Sequence, residues 1–240
     1  RGEILGIAGV EGNGQKELVD MLFHLNTPNA GTVTVNGENI IGVSQRKIRE
    51  KGVSLVPEDR MIYGVSNPQP IEENLISDRY ATEPYSGAKR LNKGPMFDMK
   101  AIHAEVDQLI RDYTVLCKSG NQRVDNLSGG NIQKVVVARE FSNDPCLIIA
   151  DQPTRGIDVG ATEFIRKKLV ELSRAGVAVL LVSADLNEVM ELSDSLMVMC
   201  GGHIAAYFED TTQLSDEVMG EYMLGLKRQT PEEVRRVCHE

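Results

Sequence analysis

Residues 126–134 read Asn-Leu-Ser-Gly-Gly-Asn-Ile-Gln-Lys, and residues 147–158 read Leu-Ile-Ile-Ala-Asp-Gln-Pro-Thr-Arg-Gly-Ile-Asp. In the first stretch, Ser128 and two glycines precede an apolar and basic run, which is typical of a helix N-terminus that faces an anion. The second stretch is an apolar strand that ends in the carboxylate of Asp151, a ligand type that Mg²⁺ prefers beside phosphates. Each stretch alone also fits a plain loop or a buried strand with its turn, but their combination at this spacing predicts a phosphate site.

The amino-acid sequences of both stretches resemble motifs of a known family. The letters LSGGNIQK at residues 127–134 resemble the signature motif of ABC-type ATPase domains, and LIIADQPTRGIDVGA at residues 147–161 resembles their Walker B strand and D-loop. The version QPTRGIDVGA looks most like the second, C-terminal ATPase half of the tandem subunits that power importers of nucleosides and simple sugars. The resemblance extends from Gly2 to about Phe208.

Composition limits the possible classes of protein. The 240 residues are 41% hydrophobic, which is enough for a real core in one large domain or two modest ones. No apolar run approaches the ~20 residues that span a bilayer, and the net charge of −9 argues against a nucleic-acid partner. The four cysteines lie far apart and fit neither a disulfide framework nor a zinc site: Cys117, Cys146, Cys200 and Cys238. This spacing predicts a reducing compartment, the cytosol. The chain shows no signal peptide and begins at Arg1, so we expect a piece of a longer protein.

The segment near the start of the chain has the order strand, glycine loop, helix. Gly2 to Gly9 is an apolar strand, and apolar residues from Leu18 to Leu25 recur with helical spacing. The glycines open the loop, and the helix start that follows offers N–H donors and the positive end of its dipole to an anion. We therefore predict a phosphate loop that binds nucleotide through Gly9, Gly12, Asn13, Gly14, Gln15, Lys16 and Glu17. A glycine turn without a ligand is the alternative.

This loop departs from the usual order of glycine, four residues, glycine, lysine and then serine or threonine. Counted from Gly9, the lysine position is Gln15 and the hydroxyl position is Lys16. Gln15 can donate a hydrogen bond to a phosphate but carries no charge. Lys16 lies about 100° further around the helix, so it does not simply replace the missing lysine. Lys16 either reaches the β-phosphate region in place of Mg²⁺ or pairs with Asp20 on the same helix.

The resemblance implies further changes around the γ-phosphate. The glutamate that normally follows the Walker B aspartate is Gln152 here, and the histidine that normally follows the next strand is Ala184. Glutamine can position a water molecule but is a poor proton acceptor. Together with Gln15, these changes predict a catalytically poor phosphate site, with ATP as its ligand and with Mg²⁺ absent or weakly bound through Asp151.

The signature segment, by contrast, is complete. In ABC dimers the signature of one domain closes over the nucleotide that the phosphate loop of the other domain holds. The resemblance therefore implies that Ser128, Gly129 and Gly130 complete an active site on an N-terminal ATPase half of the same polypeptide, and that Asp158 crosses the interface. Glu58 stands where such domains carry a glutamine that touches the metal and links to the transmembrane partner. A surface salt-bridge cluster is the alternative for Glu58.

The remaining pattern predicts an α/β fold like that of the P-loop NTPases: a mainly parallel sheet with an antiparallel β portion and an inserted helical subdomain. Val177 to Ser183 is a continuous apolar strand, as found in parallel sheets that are covered on both faces. We predict a nucleotide-binding domain over residues 1–210, its helical subdomain over about 71–143, and a helical tail over 211–240.

Three local expectations concern the part of the chain around this subdomain. We expect a loop from Tyr63 to Pro70, a helix from Ile71 to Tyr80, and another loop from Pro84 to Pro95.

The implied partners are the N-terminal ATPase half, transmembrane permease subunits and, indirectly, a substrate-binding protein. The implied location is the cytoplasmic face of the cell membrane, and no nucleic acid is expected. Two other classes compete with this interpretation. A non-transport ABC-type ATPase of DNA repair or translation usually keeps the loop lysine, and the acidic charge argues against it. A regulatory or scaffold domain differs only if its signature fails to engage a partner.

Overall fold

The computed structural model describes residues 1–82, 84–86, 97–212 and 214–237. Most of the loop expected from Pro84 to Pro95 lies outside these residues. Among the described residues, no helix is both long enough and apolar enough to cross a membrane.

Strands and helices alternate along most of the chain, as the apolar pattern predicts. The strands are β1 (Ile4–Ala8), β2 (Thr34–Val35), β3 (Glu38–Asn39), β4 (Val53–Val56), β5 (Leu147–Asp151), β6 (Ala178–Val182), β7 (Ser195–Cys200) and β8 (His203–Phe208). The α-helices are α1 (Gln15–Leu22), α2 (Gln45–Glu50), α3 (Ile71–Ile76), α4 (Met99–Asp112), α5 (Gly129–Phe141), α6 (Val159–Arg174), α7 (Leu186–Leu192), α8 (Asp216–Met223) and α9 (Pro231–Val237). A short π-helix spans Arg60–Gly64 and a 3₁₀ turn spans Val124–Asn126.

Six strands form one sheet in the order β4-β5-β6-β1-β7-β8. β1 runs parallel to both β6 and β7, and β5 runs parallel to β6, whereas β8 runs antiparallel to β7. β2 and β3 form a separate antiparallel pair. The predicted fold class, a mainly parallel sheet with an antiparallel portion, is therefore confirmed.

The register aligns the carboxyl ends of three neighbouring strands. Asp151 at the end of β5 pairs with Val182 at the end of β6, and Val182 faces Ile7 near the end of β1. Segments that leave these three strands therefore start at the same edge of the sheet, which is where parallel α/β sheets bind ligands.

By its internal contacts the chain divides into two compact units. The first consists of residues 1–55, 145–153 and 166–240 and contains most of the sheet. Two apolar clusters among its described residues lie on opposite faces of the sheet, because successive strand residues point to opposite sides. Ile7 of β1 belongs to the cluster with Val19 of α1 and Ile48 of α2, and the following Ala8 belongs to the cluster with Val189 of α7 and Met219 of α8.

The second unit consists of residues 56–144 and 154–165. In it, α3 packs against both α4 and α5, and α4 packs against α5. Apolar residues of these helices form its buried interior: Ile71, Leu75, Ile102, Val106, Leu109, Val135 and Val136. The predicted boundaries of the subdomain at 71–143 and of the tail at residue 210 remain predictions.

Two local expectations were wrong. Tyr63 does not begin a loop, because it belongs to the π-helix, whose first N–H groups at Met61 and Ile62 are capped by the carboxylate of Asp59 at 2.9 and 3.0 Å. The helix that starts at Ile71 already ends at Ile76 rather than at Tyr80.

Candidate functional site

The phosphate loop connects β1 to α1 in the first unit, as predicted. Gly12 and Gly14 have left-handed φ angles of 88° and 107°, which side chains with a Cβ rarely adopt. A Cβ added at Gly12 would meet no atom within 4 Å, so the backbone there is open to a close neighbour. Gly14 directly precedes Gln15, the first residue of α1, so the loop leads into a helix N-terminus. This backbone fits a phosphate group.

The side chain of Gln15 folds back onto this loop. It is buried, and its Nε2 donates a hydrogen bond to the carbonyl oxygen of Val10 at 3.2 Å. A Cβ added at Gly9 would lie only 2.2 Å from this Nε2, so the amide lies directly against the Gly9 backbone. The group that replaces the usual lysine is therefore bound by the loop itself.

Lys16 lies on the exposed side of α1, and its Nζ is 3.6 Å from the carboxylate of Asp20. This is the pairing that the sequence offers as the alternative to a phosphate contact. Glu17 is exposed in the first turn of the same helix. The backbone of the loop thus fits a phosphate, but the side chains at positions 15 and 16 supply neither the usual cation nor the usual metal-binding hydroxyl.

Asn13 fixes the loop to the turn between β7 and β8. Its side-chain oxygen accepts a hydrogen bond from the N–H of Gly201 at 2.9 Å, and its carbonyl oxygen accepts one from the N–H of Gly202 at 3.0 Å. The loop is therefore held on two sides, by the end of β1 and by this turn.

Asp151 and the two altered catalytic positions lie at the same edge of the sheet as the loop. Asp151 is buried at the end of β5. Gln152 follows it with a left-handed φ of 51°, and its side-chain oxygen accepts a hydrogen bond from the N–H of Ala184 at 3.1 Å. Among the described residues, no group of three His, Cys, Asp or Glu side chains is arranged to hold a metal ion.

The signature segment (residues 127–131) begins α5 in the second unit. Ser128 caps this helix as predicted: its hydroxyl oxygen accepts a hydrogen bond from the backbone N–H of Asn131 at 3.4 Å. The side-chain amide of Asn131 donates to the same oxygen at 2.9 Å and accepts from the N–H of Leu116 at 2.8 Å. Asn131 therefore orients the serine hydroxyl, a role that the sequence did not reveal.

The two glycines of the signature segment lie against charged side chains of the same unit. A Cβ added at Gly130 would lie 2.4 Å from Oδ2 of Asp158, and one added at Gly129 would lie 3.1 Å from Nη2 of Arg60. Asp158 also accepts a hydrogen bond from the N–H of Ala161 at 3.0 Å, which caps the first turn of α6. The glycines thus have a packing role within this chain, and their predicted role toward phosphate stays a prediction.

Glu58 forms an ion pair with Arg155 in the D-loop segment (residues 154–158). This contact corresponds to the salt-bridge alternative for Glu58. Arg60 contacts the same segment and donates hydrogen bonds to the carbonyl oxygens of Arg155 and Gly156 at 2.8 and 3.1 Å. Sequence reasoning missed Arg60 and Arg155, because each lies about 95 positions from its partner and no local pattern joins them.

Solved structures with a similar fold are ATP-binding cassettes. A dimeric cassette, MJ0796, bound to ADP and Pi, has a TM-score of 0.69 at 22% sequence identity, with 86% of this chain and 84% of that one covered. The ADP form of the cassette MJ1267 has a TM-score of 0.67 at 19% identity, with 98% and 87% covered. At these identities the likeness shows the fold alone.

Closer relatives are ATP-binding proteins for import. The chain is 42% identical over 224 residues to the guanosine import ATP-binding protein NupO of Bacillus subtilis, covering 93% of this chain and 42% of that protein. It is 36% identical to the nucleoside import ATP-binding protein NupA of Lactococcus lactis, with 93% and 43% covered. It is 37% identical to the glucose import ATP-binding protein TsgD13 of Haloferax volcanii, with 94% and 40% covered. The chain thus spans about two fifths of the length of these curated relatives.

A family model described as "ABC transporter" matches residues 1–155, which is more than half of the chain. This match covers the phosphate loop, the signature segment and the strand that ends in Asp151. With the cassette fold and the relatives above, it shows that the chain is an ATP-binding domain of the ABC transporter family.

Proposed function

We propose that this chain is the ATP-binding domain of an importer for nucleosides or simple sugars. Membership of the family implies ATP binding, generally with Mg²⁺. The relatives are named as import proteins for guanosine, nucleosides, glucose and ribose, which supports import of this substrate class.

The chain completes an active site that it does not itself hold. One contrast between its two groups of site residues carries this proposal. The phosphate loop lacks the lysine, and the Gln15 amide that replaces it is bound to the Val10 carbonyl. The signature helix α5, however, keeps Ser128, Gly129 and Gly130 at its N-terminus, where backbone N–H groups and the helix dipole attract an anion.

This division of work needs specific partners. The ATP-hydrolysing site belongs to an N-terminal ATPase half of the same polypeptide. The match to NupO covers 42% of that relative's length, so a protein of that length can contain a second half. Asp158 meets that half at the interface. The domain at residues 1–210 works together with transmembrane permease subunits, which receive substrate from a substrate-binding protein. The tail at residues 211–240 has a packing role or acts as a linker. The complex works at the cytoplasmic face of the membrane and binds no nucleic acid.

A nucleotide at the chain's own loop lies against the open backbone at Gly12 and the start of α1. Gln15 would contact its phosphates only by leaving Val10, and Asp151 is the single carboxylate there that we assign to Mg²⁺. Because the cation and the hydroxyl of the usual loop are missing, this second site binds nucleotide weakly, holds Mg²⁺ weakly or not at all, and does not hydrolyse.

The substitution Ser128→Arg in the full-length transporter tests the proposal. A bulky cation at the N-terminus of α5 blocks the approach of an anion, so ATP hydrolysis and uptake should both fall to background. Ser215 offers a matched control, because its hydroxyl caps α8 in the same way and accepts from the N–H of Val218 at 3.4 Å. Ser215→Arg removes a cap of the same kind, at a cost of about 1 kcal/mol in stability, but lies outside the signature segment, so it should retain at least about half of both activities.

The two readouts separate the parts of the proposal. Full hydrolysis in the Ser128→Arg variant means that the serine only caps its helix, and the shared active site is then wrong. Uptake of labelled guanosine, ribose and glucose by the wild-type transporter identifies the substrate class, and transport of none of them contradicts the importer assignment.

Binding of labelled ATP separates this function from the competing classes. A scaffold domain shows no gain in ATP binding when its partner half is added, whereas a domain that completes a shared site does. A non-transport ATPase of DNA repair or translation hydrolyses ATP in the absence of permease subunits and leaves uptake unchanged when it is deleted.

A further inference from the structure

Arg60 connects two segments that lie far apart in the sequence. It is the first residue of the π-helix, and the carboxylate of Asp59 fixes this turn by accepting from the N–H groups of Met61 and Ile62. From this position the guanidinium donates to two successive carbonyl oxygens, those of Arg155 at 2.8 Å and Gly156 at 3.1 Å. The rigid fork of an arginine suits two adjacent acceptors, which a single ammonium cannot bind equally well.

A second contact joins the same two segments, but here the guanidinium belongs to the D-loop segment. The carboxylate of Glu58 pairs with the side chain of Arg155, while Arg60 binds the backbone of Arg155. The D-loop segment is therefore held through the side chain of Arg155 and through the carbonyl groups of Arg155 and Gly156. The Nε of Arg60 is buried and has no hydrogen-bond partner within the part of the chain that the structure describes. Its two backbone acceptors therefore determine where the guanidinium lies.

The same guanidinium lies against the start of the signature helix. Its Nη2 would be 3.1 Å from a Cβ at Gly129, and the Asp158 carboxylate would be 2.4 Å from a Cβ at Gly130. We call the two hydrogen bonds from the Arg60 guanidinium to the carbonyl oxygens of Arg155 and Gly156 the clamp. Gly129 thus lies against the clamp, and Gly130 lies against the D-loop segment that the clamp holds. A displacement of the D-loop segment therefore changes the surroundings of the α5 N-terminus.

We propose that Arg60 is a positioning residue for the shared active site: it holds the D-loop segment against the signature helix, so that both reach the partner half together. This inference rests on the proposed function, because it assumes that the signature completes a site on another half. Arg60 acts through the D-loop segment and the signature glycines rather than by touching nucleotide.

Hydrogen–deuterium exchange of the full-length protein tests the positioning itself, without reference to activity. We expect Arg60→Ala to speed exchange at least about threefold in the peptides that contain Ala161 and Asn131, because their N–H groups depend on the caps by Asp158 and Ser128. Arg60→Lys should give a smaller change in the same peptides. The control is Arg46→Ala, which removes an exposed arginine that pairs with Glu50 on α2 and should leave these peptides unchanged.

Steady-state ATP hydrolysis by the assembled transporter tests the consequence. We expect Arg60→Ala to lower kcat by about 10- to 100-fold, because misplacing a site by ~1 Å has effects of that size. The KM for ATP should stay within about twofold, since the loop that holds the nucleotide belongs to the other half. Arg60→Lys should recover part of kcat, and Arg46→Ala should match the wild type.

The outcomes distinguish this inference from the proposed function. Unchanged exchange in Arg60→Ala overturns the clamp whatever the Ser128→Arg variant does. Faster exchange with unchanged kcat overturns its role in the reaction. Intact hydrolysis in Ser128→Arg overturns the proposed function and with it the role of Arg60 at a shared site, but leaves the positioning of the D-loop segment to the exchange measurement. If Arg60→Ala does not fold, Arg60→Lys decides: wild-type exchange and kcat in that variant would show that the two-carbonyl contact is not needed.

Discussion

The side-chain oxygen of Gln152 accepts a hydrogen bond from the backbone N–H of Ala184 at 3.1 Å, so the two altered catalytic positions contact each other directly. Gln152 adopts this arrangement with a φ of 51°, in the left-handed region. A residue with a Cβ is strained there, and the strain is offset by the bond to Ala184 together with the bond from its own N–H to the carbonyl of Val182 at 2.8 Å.

The strain and the hydrogen bond at Gln152 can be separated by two substitutions. We expect Gln152→Ala to lower the free energy of unfolding by about 1 kcal/mol, because the bond to Ala184 is lost. Gln152→Gly loses the same bond but relieves the left-handed strain of ~1 kcal/mol. The glycine variant should therefore be more stable than the alanine variant in urea denaturation. Equal stability of the two variants would contradict the left-handed backbone.

Hydrolysis by the 240-residue chain alone should lie far below the ~1–100 s⁻¹ that is typical of kinases. Under the proposed function, Gln15, Gln152 and Ala184 stand at the positions of the cation, the proton acceptor and the imidazole that would stabilise the transition state. A phosphate-release assay measures this turnover. Gln152→Glu alone should change it less than about threefold, because a proton acceptor without the cation does little.

Turnover within the typical range from the purified chain would show that its own site is catalytic. In that case Gln152→Ala tests whether residue 152 is responsible, since its methyl group cannot position water, whereas the carboxylate in Gln152→Glu still can.

Nucleotide affinity should depend on the contact between Gln15 and Val10. Gln15→Lys places an ammonium in the loop and removes the amide from the Val10 carbonyl, so ATP should bind at least about tenfold more tightly, a gain of ~1.4 kcal/mol. Gln15→Ala also frees the loop but adds no charge, so its affinity for ATP should lie between those of the wild type and Gln15→Lys. Titration with a fluorescent ATP analogue measures all three affinities. Equal affinities of the wild type and Gln15→Ala would mean that the amide does not compete with phosphate.

The signature glycines should differ in their tolerance of alanine. Gly130→Ala drives a methyl group toward the carboxylate of Asp158, which caps α6, so we expect a loss of about 1–3 kcal/mol in the free energy of unfolding. Gly129→Ala would place its methyl group 3.1 Å from the Arg60 guanidinium and 3.7 Å from the carbonyl oxygen of Gly156, which is much less crowded than position 130. It also gains helix propensity, so its stability should stay within about 0.5 kcal/mol of the wild type.

A double-mutant cycle tests the cause of this difference. In an Asp158→Ala background, Gly130→Ala should be markedly less destabilising, because the obstructing carboxylate is gone. Additive losses in the double variant would show that Asp158 is not what excludes the side chain at position 130.

The elements that hold the site in the first unit could be predicted because their signals are local. The apolar strand before Gly9, the glycine loop and the apolar run that ends at Asp151 each carry their own pattern over a few residues. Parallel pairing then brings the ends of β1, β5 and β6 to one edge, so the neighbourhood of the loop and Gln152 follows from the fold class.

The contacts of Arg60 and the fold-back of Gln15 could not be predicted in the same way. Arg60 binds carbonyl oxygens about 95 positions away, and carbonyl groups carry no sequence information. The amide of Gln15 has several acceptors within reach, and only the loop geometry selects Val10. The π-helix at Arg60–Gly64 was missed because its cap by Asp59 resembles an ordinary polar turn in the sequence.

The final prediction concerns Lys16, which occupies the position of the metal-binding hydroxyl and whose Nζ lies 3.6 Å from Asp20. A helical pair of this spacing is worth only about 0.2–0.5 kcal/mol, so a bound phosphate can draw the exposed ammonium away at little cost. A cation at this position repels Mg²⁺ and partly replaces it. We therefore expect chelation of Mg²⁺ to change the ATP affinity of the 240-residue chain less than about threefold, a difference of ~0.65 kcal/mol. Titration of ATP with Mg²⁺ and with a chelator measures the effect.

Substitution of Lys16 shows whether its ammonium contacts bound phosphate or only pairs with Asp20. Lys16→Ser restores a hydroxyl and removes the competing charge, so ATP binding should become clearly dependent on Mg²⁺. Lys167→Ser is the matched control, because Lys167 forms a similar exposed pair with Glu171, at 3.9 Å on α6, and should leave the metal dependence unchanged. Asp20→Asn should strengthen binding in the absence of metal, since it releases Lys16 from its pair. A wild-type affinity that collapses on chelation, or a serine variant no more metal-dependent than the wild type, would leave Lys16 as a surface residue that only pairs with Asp20.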